Sequence, residues 1–318
     1  MSFKILLLGD FQWNFNKGEY VARPTGISVL ADIFASGLEK LGCEVTRHNL
    51  WTIYQTGSFD AVLAVSWWGD ALNLVAIPQH YGFNKVFPMV ITDGFIPESY
   101  AKILSNATKV LATSNYTKDI MIRAGIPKDK IDVILEAIDT ELFKPEDSMI
   151  LSLKEGMLTS NKKITIMWHF WHGGDLEIAE IIDPIVEQFD NVQFIGKIQY
   201  ELTKEHIKEF KSKIKHLEKV KLIDLQVPYE KMSALYNACD IFLSLGGSIG
   251  GDLPILEAMA CGKPVIALNR SSAKEFISPF ENGMLVKIGK SESKIDIKAG
   301  IPIKEQYDYP DVEDLKER

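Results

Sequence analysis

Apolar residues along this chain fall into short continuous runs that alternate with stretches of helical spacing. Ile5–Leu8 is an apolar run closed by Gly9-Asp10, and Ile27–Leu41 carries its apolar residues at helical intervals, which predicts a β-loop-α unit. An extended segment resumes at Val45, and Ala61–Val65 and Phe87–Thr92 read as buried strands, each followed by Gly, Asp or Pro. Lys109–Thr113 predicts a strand, Thr117–Ala124 a helix stopped by Gly125 and Pro127, and Ile131–Leu135 a further strand. The polar, Pro-containing Lys144-Pro145-Glu146-Asp147-Ser148 follows, and no strand resumes until Ile164, so the linker falls there. Strands at Ile164–Trp168, Val192–Ile195, Lys221–Ile223, Ile241–Ser244 and Pro264–Ala267 then repeat the logic with helices between them. Such alternation predicts an α/β protein of two doubly wound, Rossmann-like domains, 1–146 and 160–318, facing across a cleft. Lys204–Lys221 has Ile207, Phe210, Ile214 and Leu217 at helical spacing among mixed charges, which is the pattern of a solvated helix face.

Composition narrows the function. The chain has 318 residues, 46% hydrophobic and 25% charged, enough for two cores of ordinary size. A formal net charge of −8 argues against a nucleic-acid-binding face, so any anionic ligand has to be held locally. Cys43, Cys239 and Cys261 are odd in number and far apart, in neither a disulfide framework nor a metal-ligand spacing, and they fit a reducing cytoplasm. The apolar N-terminus lacks a basic flank and a small-residue cleavage site and reads as a strand rather than a leader. No apolar run approaches the ~20 residues that span a bilayer, which leaves peripheral membrane contact at most.

Ser244–Gly262, SLGGSIGGDLPILEAMACG, is the most informative stretch. It leaves a predicted strand and opens a helix for which Asp252 is a suitable N-cap, Pro254 a first-turn residue and Gly262 a stop. Gly246, Gly247, Gly250 and Gly251 let a backbone approach a ligand, and the helix start offers free N–H groups and the positive end of the dipole, an anion seat. A tight strand-to-helix turn uses glycines in the same way. Glu257, in the first turns of that helix, is placed to accept hydrogen bonds from sugar hydroxyls, unless it is a surface glutamate.

At these residues the sequence resembles the retaining GT-B glycosyltransferases of family 4. Leu253–Ala267, LPILEAMACGKPVIA, is similar to that family's signature, and the likeness continues through Glu275-Phe276-Ile277 and Glu281–Val286. Val133–Pro145 is similar to the interdomain segment, and Ala112–Lys118 and Pro24-Thr25-Gly26 also match. The resemblance covers most of the chain in the right order. It implies a sugar transferase with a UDP-, GDP- or ADP-sugar donor in the C-terminal domain, a glycan or other hydroxyl acceptor in the N-terminal domain, retention of anomeric configuration, no cofactor and no obligatory metal. By position, Glu257 holds the donor ribose, the backbone of Gly250, Gly251, Asp252 and Leu253 meets the phosphates and transferred sugar, and Gly26 lies beside the donor.

Several positions depart from the family. The first glutamate of its usual pair falls on Ile249, and Asp252 either replaces that carboxylate or only caps the helix. The Arg and Lys that neutralise the diphosphate are replaced in Met167–Asp175 by His169 and His172, with Lys197 as the candidate substitute cation; both histidines also fit ordinary loop positions. The family's cleft histidine becomes Asp93, a contact for a sugar hydroxyl or a turn residue before Gly94. The chain ends soon after Asp311-Val312-Glu313, where the family adds helices, so domain closure is expected to differ. Trp13, Trp67, Trp68, Trp168 and Trp171 follow predicted strands, where indoles stack on sugars or pack cores; Trp13, Trp67 and Trp68 form the candidate acceptor side. The alternative to an active transferase is a nucleotide-sugar-binding scaffold with weak or no turnover.

Overall fold

The structure is a computed structural model that describes residues 2–14, 19–22, 25–52, 57–92, 94–146, 163–170, 178–198, 203–223, 227–245, 252–298 and 301–318. It divides into two compact units, one of Met1–Ile138, Ser248–Leu253 and Ser293–Glu305, the other of Asp139–Gly247, Pro254–Glu292 and Gln306–Arg318.

In the first unit β1 (Lys4–Gly9) leads into a small antiparallel hairpin of β2 (Phe11–Asn14) and β3 (Glu19–Ala22). β4 (Glu44–Asn49), β5 (Ala61–Trp67), β6 (Val86–Ile91), β7 (Val110–Ala112) and β8 (Ile131–Val133) complete a parallel sheet in the order β4-β1-β5-β6-β7-β8. The continuous apolar runs have their cause here, because helices cover both faces of a parallel sheet. Leu6, Leu7 and Leu8 of β1 are all fully buried, alternate residues facing opposite sides. Helix Gly26–Lys40 starts on Thr25, whose hydroxyl accepts from the Ser28 amide at 3.3 Å, and helix Asn115–Arg123 starts on Ser114 in the same way at 3.1 Å from the Thr117 amide.

The second unit is built from β9 (Ile164–Phe170), β10 (Val192–Ile198), β11 (Val220–Ile223), β12 (Ile241–Ser244), β13 (Val265–Leu268) and β14 (Gly283–Val286), all parallel, in the order β11-β10-β9-β12-β13-β14. Counted within the unit this is 3-2-1-4-5-6, the dinucleotide-fold order, and the sequence reverses direction between β9 and β12. Trp168 lies inside β9 with 1% exposure, packed on Phe194 and Phe210 with ring centroids 6.2 and 6.0 Å apart. The expectation that Trp168 follows its strand is corrected, since β9 continues to Phe170. Gly196, its neighbour on β10, leaves room for the indole: a Cβ there would meet Trp168 Cζ2 at 2.5 Å.

The Lys- and Glu-rich helix runs only over Lys204–Lys213, because Ile214 is extended and Leu217–Lys219 forms a separate 3-10 turn. Phe210 anchors it and its other face is solvated, as the charge pattern implies. The long hairpin of β15 (Ile288–Lys298) and β16 (Ile301–Pro310) precedes the last helix, Val312–Glu317. No described helix is long and apolar enough to cross a membrane.

Asp314 ties that last helix to the end of β14. Its carboxylate accepts from the Lys287 amide at 2.8 Å and from Arg318 at 2.9 Å, with the Lys287 ammonium at 3.3 Å. The Lys287 amide first, and Arg318 after it, hold its pKa down from 3.8 to about 2. A depressed carboxylate contributes stability that is complete above its unfolded pKa and is lost as the pH falls through its folded one. Thermal melts of the native chain should therefore fall between about pH 4 and pH 2 more steeply than those of Asp314→Asn, and parallel curves would show that this carboxylate carries no share of acid unfolding.

Candidate functional site

Ligands of doubly wound sheets bind outside the carboxyl ends of the strands where the strand order reverses. In the second unit that point lies between β9, ending at His169-Phe170, and β12, ending at Ser244. Helix Leu253–Ala260 opens nearby with Pro254 as its second residue, where a missing N–H costs nothing. It stops where Gly262 turns to φ +72° and the amides of Gly262 and Lys263 bond back to Met259 and Ala258 at 2.9 Å each. Asp252, half-buried, immediately precedes the helix, and Leu253 is 8% exposed. Gly250 and Gly251 lie outside the described residues, as do Asp93 and His172.

Glu257 is the fifth residue of that helix and is buried, which removes the surface-glutamate reading. A buried carboxylate needs a partner, and the Tyr236 hydroxyl donates to its Oε2 at 2.6 Å. Tyr236 is fully buried in helix Met232–Ala238, its ring edge-on to Phe143 and Phe242. The same hydroxyl oxygen lies 3.3 Å from His169 Nε2. A phenol has one proton, and the short bond to a carboxylate takes it, so at His169 the Nε2–H has to be the donor. That leaves His169 Nδ1 as a buried acceptor, and it has no partner among the described residues.

His169 is neutral. Burial, and then the Lys197 charge, drive its pKa down from 6.5 to about 3. Lys197 stands opposite it in the β10–β9 register, 5% exposed, and its ammonium donates to the Ile198 carbonyl at 2.6 Å. His169 therefore offers an acceptor for a hydroxyl instead of the cation expected in its place, and of these two only Lys197 carries charge. Tyr229 adds a second phenol beside Glu257, its hydroxyl buried and its pKa pushed well up by burial and by Glu257. The sequence reading passed over both tyrosines. Their one signal was position, on either side of the start of the helix that feeds β12.

In the first unit Gly26 is the exposed first residue of its helix. Trp13 sits in β2 opposite Tyr20 of β3. Trp67, half-buried, ends β5, and its ring lies over Gly69, where any Cβ would collide with it. Trp68 is not at a ligand face: its ring is fully buried, 4.9 Å from Trp67 and edge-on to Tyr100 at 5.0 Å, so it can stack on no acceptor. The strand ends at Trp67 and the turn Trp68–Asp70 rolls the second indole into the core. No group of three or more metal-ligating side chains occurs among the described residues.

Comparison with known proteins places this geometry in a class. The structure is similar to HepE of Anabaena in complex with UDP and glucose, at 19% identity and TM-score 0.67 over 91% of this chain and 86% of that one. It is also similar to sucrose-phosphate synthase of Thermosynechococcus elongatus, at 16% identity and TM-score 0.69 over 90% and 86%. The fold is that of the GT-B glycosyltransferases. Residues 191–297, which include Lys197, Tyr236 and Glu257, match the family described as "Glycosyl transferases group 1". A curated relative, D-inositol 3-phosphate glycosyltransferase of Segniliparus rotundus, is 21% identical over 271 residues, 80% of this chain and 58% of the relative. The chain thus spans somewhat more than half of that relative's length.

Proposed function

We propose that this protein transfers a sugar from a nucleoside-diphosphate sugar to a hydroxyl of a glycan or other acceptor, with retention and without an obligatory metal or cofactor. The observation that carries the reading is the buried Glu257 carboxylate, held by Tyr236 beside the strand-order reversal of the second sheet. In this reading the domain of residues 160–318 binds a UDP-, GDP- or ADP-sugar and the domain of residues 1–146 binds the acceptor. Glu257 accepts from the ribose hydroxyls, and His169 Nδ1 accepts from another donor hydroxyl. The backbone of Gly250, Gly251, Asp252 and Leu253 receives the diphosphate with Lys197 and His172 nearby, and Gly26, Asp93, Trp13 and Trp67 serve the sugar and acceptor. The three free cysteines fit a reducing cytoplasm.

The reaction breaks the bond between the anomeric carbon and the diphosphate oxygen, and the electron pair leaves with the diphosphate. Stabilisation is needed for the sugar's growing positive character and the leaving group's negative charge. N–H groups at a helix start and an ammonium answer the second need. The acceptor oxygen forms the new bond on the face the diphosphate leaves, and its proton passes to the departing phosphate oxygen.

A nucleotide-sugar-binding scaffold is the second reading, favoured because burial and the Lys197 charge drive the His169 pKa down where a diphosphate is best met by a cation. Calorimetric titration with UDP-, GDP- and ADP-glucose followed by a donor-hydrolysis assay separates the two. Binding with turnover is the expected result. Binding without turnover selects the scaffold, and absence of binding to all three overturns both.

A further inference from the structure

Trp51 was passed over in the sequence, yet it stands exposed just past the end of β4, at the carboxyl edge of the first sheet. The residue is 47% exposed. An exposed indole is ordinarily free to swing, and this one is held at both ends. Its amide donates to Asn49 Oδ1 at 2.9 Å, while Asn49 Nδ2 donates to the Phe11 carbonyl at 2.6 Å. The buried Leu50 between them bonds through its amide to the Gly9 carbonyl at 2.9 Å. At the far end the indole N–H donates to Asp70 Oδ1 at 3.3 Å. Asp70 is fixed in turn, because the buried Ser66 hydroxyl donates to its Oδ2 at 2.6 Å. Four segments of the first unit, at the ends of β1, β4 and β5 and the start of β2, thus converge to immobilise one exposed ring and one carboxylate.

The position is significant as well. The parallel order β4-β1-β5 brings the ends of these strands to one edge, and the strand order reverses between β1 and β5, where doubly wound sheets bind ligands. A carboxylate has about four lone-pair positions, and two at Asp70 are taken, one on each oxygen. The remaining positions can accept from hydroxyl donors, beside a flat apolar face fixed at low entropic cost. A pyranose presents that combination, with C–H groups on one face and vicinal hydroxyls at its rim.

We propose that Trp51 and Asp70 form a pyranose-binding shelf, the acceptor subsite of the first unit. Its place in catalysis rests on the transferase reading; its affinity for sugar does not. The shelf recognises a neutral sugar ring by stacking on Trp51 and by hydroxyl donation to Asp70.

Saturation-transfer NMR on the full chain tests it, with the methyl glycosides of glucose, galactose, mannose and N-acetylglucosamine, and of glucosamine as a cationic control. At least one neutral glycoside should receive saturation, with Trp51→Ala weakening its binding roughly tenfold or more and Trp51→Phe restoring most of it. Transfer to no neutral glycoside, equal binding by Trp51→Ala, or preference for the glucosamine glycoside would each overturn the shelf. If Trp51→Ala does not fold, Asp70→Asn carries the test. Its amide oxygen can still accept from the indole N–H while its amide nitrogen offers donors in place of one carboxylate oxygen's acceptor positions, and binding equal to the native chain would again overturn the proposal. UDP titrated into the native chain in parallel reads the donor site by itself, so a failed transferase reading and a failed shelf remain distinguishable.

Discussion

Glu257→Gln is expected to lower kcat/KM for the nucleotide-sugar donor by about a hundredfold while leaving the fold intact. Hydrogen bonds to a charged group are worth roughly 1.5–3 kcal/mol each, and every ~1.4 kcal/mol is a factor of ten, so weakening two ribose contacts reaches that size. The fold should survive because the amide oxygen of Gln still accepts from Tyr236, whose hydroxyl meets Glu257 at 2.6 Å. Tyr236→Phe makes the complementary test. It leaves the carboxylate in place but removes its proton donor and the oxygen that receives His169 Nε2–H. About a tenfold loss is expected there, mainly in KM, since the carboxylate then has to reorganise on binding. Steady-state kinetics with the donor identified by titration, alongside circular dichroism of each variant, provide the readout. Unchanged kinetics in Glu257→Gln would mean that the carboxylate never meets the donor and serves only to bury a tyrosine.

That pair also shows what the sequence could and could not reveal. Strands packed on both faces announce themselves as apolar runs, so the parallel strands were legible as far as β13. The hairpin of β2 and β3 was not: four-residue strands carry too short an alternation to separate from a loop. β15 and β16 are rich in charge, as in Lys290, Glu292, Lys294 and Asp296, and give little period-two contrast. The position of Glu257 followed from its helix, but its burial and its partner 21 residues earlier are tertiary facts. The tryptophans failed in another way. Trp168 was placed beyond a strand that in fact runs on to Phe170, whereas Trp68 does follow β5 but is rolled inward by the turn Trp68–Asp70, and each proved to be core. Trp51 lay beyond β4, whose half-buried alternation hid where it ended.

Trp168→Ala is expected to be the most destabilising of the substitutions considered, by about 3–5 kcal/mol, the usual cost of emptying an aromatic site in a core. The indole fills the space between Phe194 and Phe210, and its Nε1 has no partner among the described residues, so its contribution is packing alone. Gly196→Ala attacks the same contact from the other strand. Its new methyl would stand 2.5 Å from Trp168 Cζ2 and 2.8 Å from Leu222 Cδ2, and overpacking of this kind costs about 1–3 kcal/mol. The two residues are register partners, and the next rung is Lys197 opposite His169, so crowding here is transmitted toward the candidate site by the strands themselves. A double-mutant cycle with Trp168→Leu separates the causes. If the indole is what Gly196 accommodates, Gly196→Ala should cost at least about 1 kcal/mol less in the Trp168→Leu background, read from urea midpoints at constant m-value. Additive losses would instead assign the requirement for glycine to Leu222 on β11, and the rung beside Lys197 would then be set from the edge of the sheet.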